Sequence, residues 1–190
     1  LRKKISEYID TEFAAFDGII TYCENNREYM GKKFSDLARQ KGKSKGMVIA
    51  ELLLSENLAI SFHDVDPELS IEQGKLFHRD VINLISRPYY MVGSDAIHLG
   101  DYPHPRGWGA FAKMLRIARE EKFPLETLIQ RMTELPCRRF KLENRGRLQE
   151  GYYADLVLFN SDTVTDNATI DNPRRAADGI RYVFVNGHIA

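Results

Sequence analysis

Helix-period and strand-period segments take turns along residues 2–140, and few architectures accept that order. RKKISEYIDTEFAA, residues 2–15, sets Ile5, Ile9 and Phe13 at helical spacing, and FDGIITYC, residues 16–23, then reads as a short strand. KKFSDLARQ and KGMVIAELLLSEN are helical, LAISFHDV (58–65) is strand-like again, and a polar stretch leads into a helical HRDVINLIS. Pro88 breaks the chain before YYMVGSD, residues 89–95. That apolar run predicts a strand buried on both faces, emerging at Asp95. FAKMLRIAREEK places Phe111, Met114, Leu115 and Ala118 on one helical face. PLETLIQRMTELP predicts a helix opened at Pro124 and stopped by Pro136. The pattern is that of an α/β chain.

After residue 140 the texture changes. RGRLQEGYYADLVLFN and GIRYVFVNGHIA are β-rich, with Gly at the corners. Two or three such strands are too few to be stable alone, so residues 141–190 call for partner strands that this chain does not obviously supply. We place a boundary near residue 141, between an α/β part (1–140) and a β-rich segment (141–190).

Charge narrows the function classes. Lys plus Arg and Asp plus Glu both count 27, so no net field favours a nucleic acid or a membrane surface. Cys23 and Cys137 lie far apart without CxxC spacing, which argues against a structural zinc site and a disulfide scaffold, and makes a reducing cytoplasm the simplest compartment. No apolar run approaches about 18 residues, and no hydrophobic signal core opens the chain. The first residue is Leu, from which we expect a fragment or a processed chain.

Chemistry-bearing side chains gather in GSDAIHLGDYPHPRGWGAF, residues 93–111. Asp95 falls where strand ends hold reactive groups in α/β architectures. It equally suits a helix cap or an Asx turn. His98 and His104 lack the i, i+4 spacing of a helix-borne metal pair and read as loop residues as readily as ligands. Arg106 is either a solvated loop charge or a fork for a substrate carboxylate. Trp108 is a helix-start anchor or a pocket wall. Elsewhere, His63 and Asp64 end the strand-like LAISFHDV and form a second, weaker candidate, while His78 reads as exposed and His188 as structural or solvated. Cys23 has no neighbouring His/Asp pair to activate it, and Cys137 reads as a small buried hydrophobe. Neither GxGxxG nor GxxxxGK occurs, so no phosphate-cradling loop is expected.

GSD, HPR ending eleven residues after Asp95, WGAF, MTELPCRRFKLENRGRLQEGYYADLVLFN and VNG together resemble the C-terminal portion of the N-acyl-D-amino-acid deacylases (D-aminoacylases) of the amidohydrolase superfamily. The RGRLQEGYYADLVLFN part is shared across that superfamily, and HPRGWGAF narrows the likeness to the deacylase branch. The resemblance implies an α/β fold: the C-terminal part of a metal-dependent (β/α)8 TIM barrel over 1–140, with FDGIITYC either a barrel strand or part of the segment that this family inserts before its final strand, then part of a small β-sandwich over 141–190. It implies zinc, with ligands mostly outside this chain because the family's early HxH pair, cysteine and later histidines lie upstream of it. It implies that Asp95 contacts the metal site and carries the catalytic proton, and that Arg106, with His104 of the same motif, binds the substrate. The reaction implied is hydrolysis of N-acyl-D-amino acids to a carboxylic acid and a D-amino acid by the full-length protein, with this chain alone inactive. The partner is a small molecule, with no nucleic acid or membrane, and a homo-oligomer is left open. Ala96 follows Asp95 where the family has Gly, so the turn there is expected to differ. Two alternatives stand: another amidohydrolase acting on a cyclic amide, dihydroorotase- or hydantoinase-like, and a non-catalytic fragment.

Overall fold

The computed structural model describes residues 2–64 and 71–190. Val65, the end of the strand-like LAISFHDV, and the polar stretch up to residue 70 lie outside the described residues. The chain forms two compact units. The first comprises Leu1–Glu68, Ala96–His104 and Ile170–Pro173; the second comprises Leu69–Asp95, Pro105–Thr169 and Arg174–Ala190.

In the first unit, helix α1 (Arg2–Glu12) packs on α3 (Lys45–Ser55), beside α2 (Phe34–Lys41). The two helices come close because Gly46 has no side chain: a Cβ there would meet the Ser6 carbonyl oxygen at 2.3 Å. Ser44 caps α3 by accepting a hydrogen bond from the Met47 N–H, and Asp10 Oδ1 accepts one from the Gly46 N–H at 2.7 Å. Strands β1 (Gly18–Cys23) and β2 (Ile60–Asp64) pair antiparallel, Gly18 opposite Asp64 and Cys23 opposite Ile60, with a bulge between Ile20 and Tyr22. Consecutive strands paired this way are not the parallel neighbours of a barrel. Ile20, Cys23, Phe34, Leu37, Val48 and Leu52 form the core between hairpin and helices.

The second unit carries α4 (Ile71–Ile85), α5 (Arg106–Glu120), α6 (Leu125–Met132), α7 (Glu134–Phe140) and an antiparallel sheet ordered β3 (Leu156–Phe159), β4 (Ile180–Val185), β5 (His188–Ile189). Ile85, Ala112, Leu115, Ala118, Leu128 and Val164 make its core. Arg116 Nε donates to Asp166 at 2.7 Å, which, more than burial opposes it, holds the guanidinium in its charged form. The three strands leave Val157, Leu158, Tyr182, Val185 and Ile189 exposed, so the sheet buries little by itself.

Two expectations are corrected. YYMVGSD forms no strand among the described residues. A strand needs a ladder, and here the Val92 N–H donates to the Arg131 carbonyl at the end of α6, not to a neighbouring strand. Pro136 does not end a helix: the break comes at Thr133 (φ −130°, ψ −80°), and Pro136 sits in the first turn of α7, where its missing N–H leaves no intrahelical bond unmade. The helix after HPR begins at Arg106, with Trp108 in its first turn, because the Pro105 carbonyl already accepts the Trp108 and Gly109 N–H groups. Among the described residues no helix is long and apolar enough to cross a membrane.

Candidate active site

Asp95 owes its place to the segment between α4 and α5. Arg131, almost fully buried, donates from Nε to the Ile85 carbonyl at 3.3 Å and from Nη1 to the Pro88 carbonyl at 3.2 Å. With the Val92 N–H on the Arg131 carbonyl, this guanidinium ties the chain leaving α4 to α6. Asp95 then takes a left-handed backbone conformation (φ 49°), which a short polar side chain tolerates better than most. Its carboxylate is 86% exposed.

Arg106 is the first residue of α5, and its Nη2 lies 3.0 Å from Asp95 Oδ2. The two residues to which the family resemblance assigns proton transfer and carboxylate recognition thus hold each other. With Arg106 38% and Asp95 86% exposed, water screens the pair, and it contributes at most about 1 kcal/mol to stability. Its meaning is therefore positional.

The histidines divide. His104 and His63 meet edge to face in the first unit, ring centroids 5.1 Å apart, and both are half-buried. Their spacing along the sequence does not reveal this contact. His98 is exposed on the same loop as His104. His78, expected to be exposed, is half-buried, with Nδ1 3.6 Å from Glu120 Oε2, because α4 packs on α5 there. His188 is exposed on β5. Trp108, on the first turn of α5, has the Arg174 guanidinium 5.7 Å from its ring centroid. Cys23 is fully buried and donates its S–H to the Asn26 carbonyl at 2.9 Å. Burial, then the carboxylates of Glu56 and Glu28, push its thiol above the usual range, so it is not an activated nucleophile. Cys137 is half-buried on α7.

No local sequence signal marks Glu56. Glu56 is the C-cap residue of α3, where its backbone N–H donates to the Leu52 carbonyl; it is 2% exposed, and its carboxylate gathers the turn after β1. Oε2 accepts from the Glu24 N–H (2.8 Å) and the Asn25 N–H (2.9 Å), and Oε1 accepts from Asn26 Nδ2 (2.5 Å). Only the distance in sequence between ENN at 24–26 and Glu56 hid it. Among the described residues no group of three or more His, Cys, Asp or Glu could hold a metal ion.

The family model described as "Amidohydrolase family" matches residues 55–190. A D-aminoacylase of Alcaligenes xylosoxydans xylosoxydans is 40% identical over 171 residues, covering 89% of this chain and 32% of the relative. An N-acyl-D-glutamate deacylase of the same organism is 50% identical over 99 residues, 51% of this chain and 20% of the relative. Among solved structures, a D-aminoacylase matches with a TM-score of 0.74 at 35% identity, over 92% of this chain and 34% of its own. The N-acyl-D-glutamate deacylase of Bordetella bronchiseptica, complexed with zinc and a phosphonate mimic of the tetrahedral intermediate, matches with a TM-score of 0.76 at 35% identity, over 97% and 36%. The chain spans about a third of the length of the curated D-aminoacylase it matches.

Proposed function

From the fact that this chain belongs to the amidohydrolase family, we propose that the whole protein hydrolyses the amide bond of N-acyl-D-amino acids, giving a carboxylic acid and a D-amino acid. In this reading residues 1–140 supply late elements of a (β/α)8 barrel with an inserted segment, and 141–190 part of a small β-sandwich. The exposed apolar side chains of β3, β4 and β5 agree with a sheet that is completed by further chain. A small-molecule substrate and a cytoplasmic location go with it.

The reading rests on one contact, the 3.0 Å approach of Arg106 to Asp95. It sets a planar donor fork beside a carboxylate that reaches solvent. Amide hydrolysis requires water to lose a proton as its oxygen bonds to the carbonyl carbon, and the nitrogen to gain one as the C–N bond breaks. Asp95 is exposed enough to accept the first and deliver the second. A free substrate carboxylate, in turn, calls for bidentate donors, which Arg106 provides at the start of α5. His104, one proline away in sequence, is assigned to the same substrate side.

Zinc belongs to the proposal for the whole protein. The described residues of this chain do not make a zinc site by themselves, since no three donors converge, and Asp95 can offer one ligand at most.

Arg106→Lys in the full-length protein tests the assignment. Lysine keeps the charge but loses the fork, and charge-assisted bonds of this kind contribute about 1.5–3 kcal/mol. KM for an N-acyl-D-amino acid should then rise roughly ten- to a hundredfold, while the corresponding carboxamide is barely affected. Equal losses on both substrates would remove Arg106 from recognition and favour a substrate without a carboxylate, such as a cyclic amide.

A further inference from the structure

We propose that Arg131 is a positioning residue for Asp95: it anchors the segment 85–95 to the end of α6 and so fixes where the carboxylate stands. This inference rests on the proton-transfer role just assigned to Asp95. Ile85, Pro88, Val92, Asp95, Arg106 and Arg131 all belong to the second unit, so every contact it uses lies within one compact body.

The segment that ends at Asp95 has no ladder to hold it. α4 stops at Ile85, the Tyr90 N–H turns back to the Arg87 carbonyl at 3.2 Å, and residues 89–95 form no strand. Arg131 takes the place of a neighbouring strand. From Nε it donates to the Ile85 carbonyl, one of those that the end of α4 leaves without an intrahelical partner, and from Nη1 to the Pro88 carbonyl. Its own carbonyl accepts the Val92 N–H at 3.3 Å. One residue therefore grips the segment at 85, 88 and 92, and between the last of these and Asp95 stand Gly93 and Ser94 alone.

The donor set is suited to fixing a place more than to adding stability. Arg131 is 9% exposed, and its partners among the described residues are carbonyl oxygens, with no carboxylate paired to it. Taking a guanidinium out of water is costly, and neutral carbonyls offset that less well than an opposite charge does. A planar, rigid group that reaches two carbonyls three residues apart instead specifies where the chain runs. Asp95 needs that specification. Its φ of 49° is sparsely populated for a residue with a side chain and persists where the surroundings determine it. The contact of its carboxylate with Arg106 is too exposed to do so. Without the anchor the run from Ile85 to Asp95 can shift, and a misplacement of about 1 Å at a reacting group can cost about a hundredfold in rate. Arg106 keeps its place, since it opens α5, whose Ala112 and Leu115 lie in the core of the unit. The loss should fall on kcat and spare recognition of the substrate carboxylate.

The experiment compares Arg131→Met and Arg131→Lys with wild type in the full-length protein, on an N-acyl-D-amino acid and on its carboxamide, well below each variant's unfolding midpoint. Methionine keeps much of the buried stem and removes every side-chain donor, whereas lysine keeps a donor that can serve one carbonyl. Arg131→Met should lower kcat about a hundredfold on both substrates alike and Arg131→Lys about tenfold, with KM for the acid within about twofold of wild type. A purely structural role would lower the midpoint and leave kcat of the folded protein as it was. A second readout needs no turnover: amide exchange across 89–95 should quicken in Arg131→Lys while α5 keeps its protection. If Arg131→Met does not fold, Arg131→Lys decides. Unchanged kcat in Arg131→Lys, a KM rise confined to the acid, or unchanged exchange at 89–95 would each overturn the proposal. Asp95→Asn run alongside separates the two levels. If it keeps wild-type turnover, the proton-transfer role falls and this proposal with it; if it loses turnover and Arg131→Lys does not, only the positioning role falls.

Discussion

Glu56 offers a measurable link between pH and the architecture of the first unit. Its carboxylate sits at the C-terminal end of α3, where the helix dipole disfavours negative charge, and it is 2% exposed. Burial would raise its pKa, but hydrogen bonds from the Asn25 N–H, Asn26 Nδ2 and the Glu24 N–H outweigh that and hold it below the usual carboxylate range. A folded value below the unfolded one of about 4.3 means that the stabilisation is complete above that pH and is lost as pH falls through the folded value. Glu56→Gln keeps an oxygen on the Glu24 and Asn25 N–H groups and turns its NH2 towards Asn26, whose amide can rotate to present its oxygen. What disappears is the charge assistance, about 1 kcal/mol. Glu56→Ala removes every acceptor, but Glu24 and Asn25 are exposed residues, so water reaches part of what is left. We expect a cost of about 2–3 kcal/mol, below the sum of three separate bonds. Urea unfolding of the 190-residue chain at several pH values measures both. The gap between wild type and Glu56→Gln should be about 1 kcal/mol at pH 7 and shrink on acidification below about pH 4. A gap independent of pH, or Glu56→Ala no worse than Glu56→Gln, would refute the assignment of this carboxylate as an ionised clasp.

Asp95→Asn in the full-length protein should lower kcat by about 100- to 10,000-fold with metal content mostly retained, and wild-type turnover in that variant would remove Asp95 from the mechanism. The 190-residue chain by itself should hold less than one zinc per chain by elemental analysis and show no deacylase turnover; stoichiometric zinc with turnover would overturn this.

Residue types and spacing by themselves determined the helices and the short strands wherever the signal was local. Apolar residues three or four apart marked α1, α3, α5 and α6, and the β-rich text after residue 140 became β3, β4 and β5, because these patterns are set by neighbours within one or two turns. The HPR motif brought Arg106 forward through its resemblance to the deacylases, where residue chemistry left a loop charge and a carboxylate fork both open. Tertiary structure decided what depends on distant partners. YYMVGSD has the composition of a buried strand, yet strand formation requires a neighbouring backbone ladder, and α6 supplies an arginine carbonyl in its place. The antiparallel pairing of β1 with β2 spans residues 18 to 64, and no local rule specifies it. Glu56 reaches back some thirty residues to the turn it clasps. Such contacts form only when the chain has folded around them, since closing long loops costs entropy that packing elsewhere must offset. Asp95 and Arg106 lie between the two cases: motif spacing named both, and only the folded chain brought guanidinium and carboxylate within 3.0 Å.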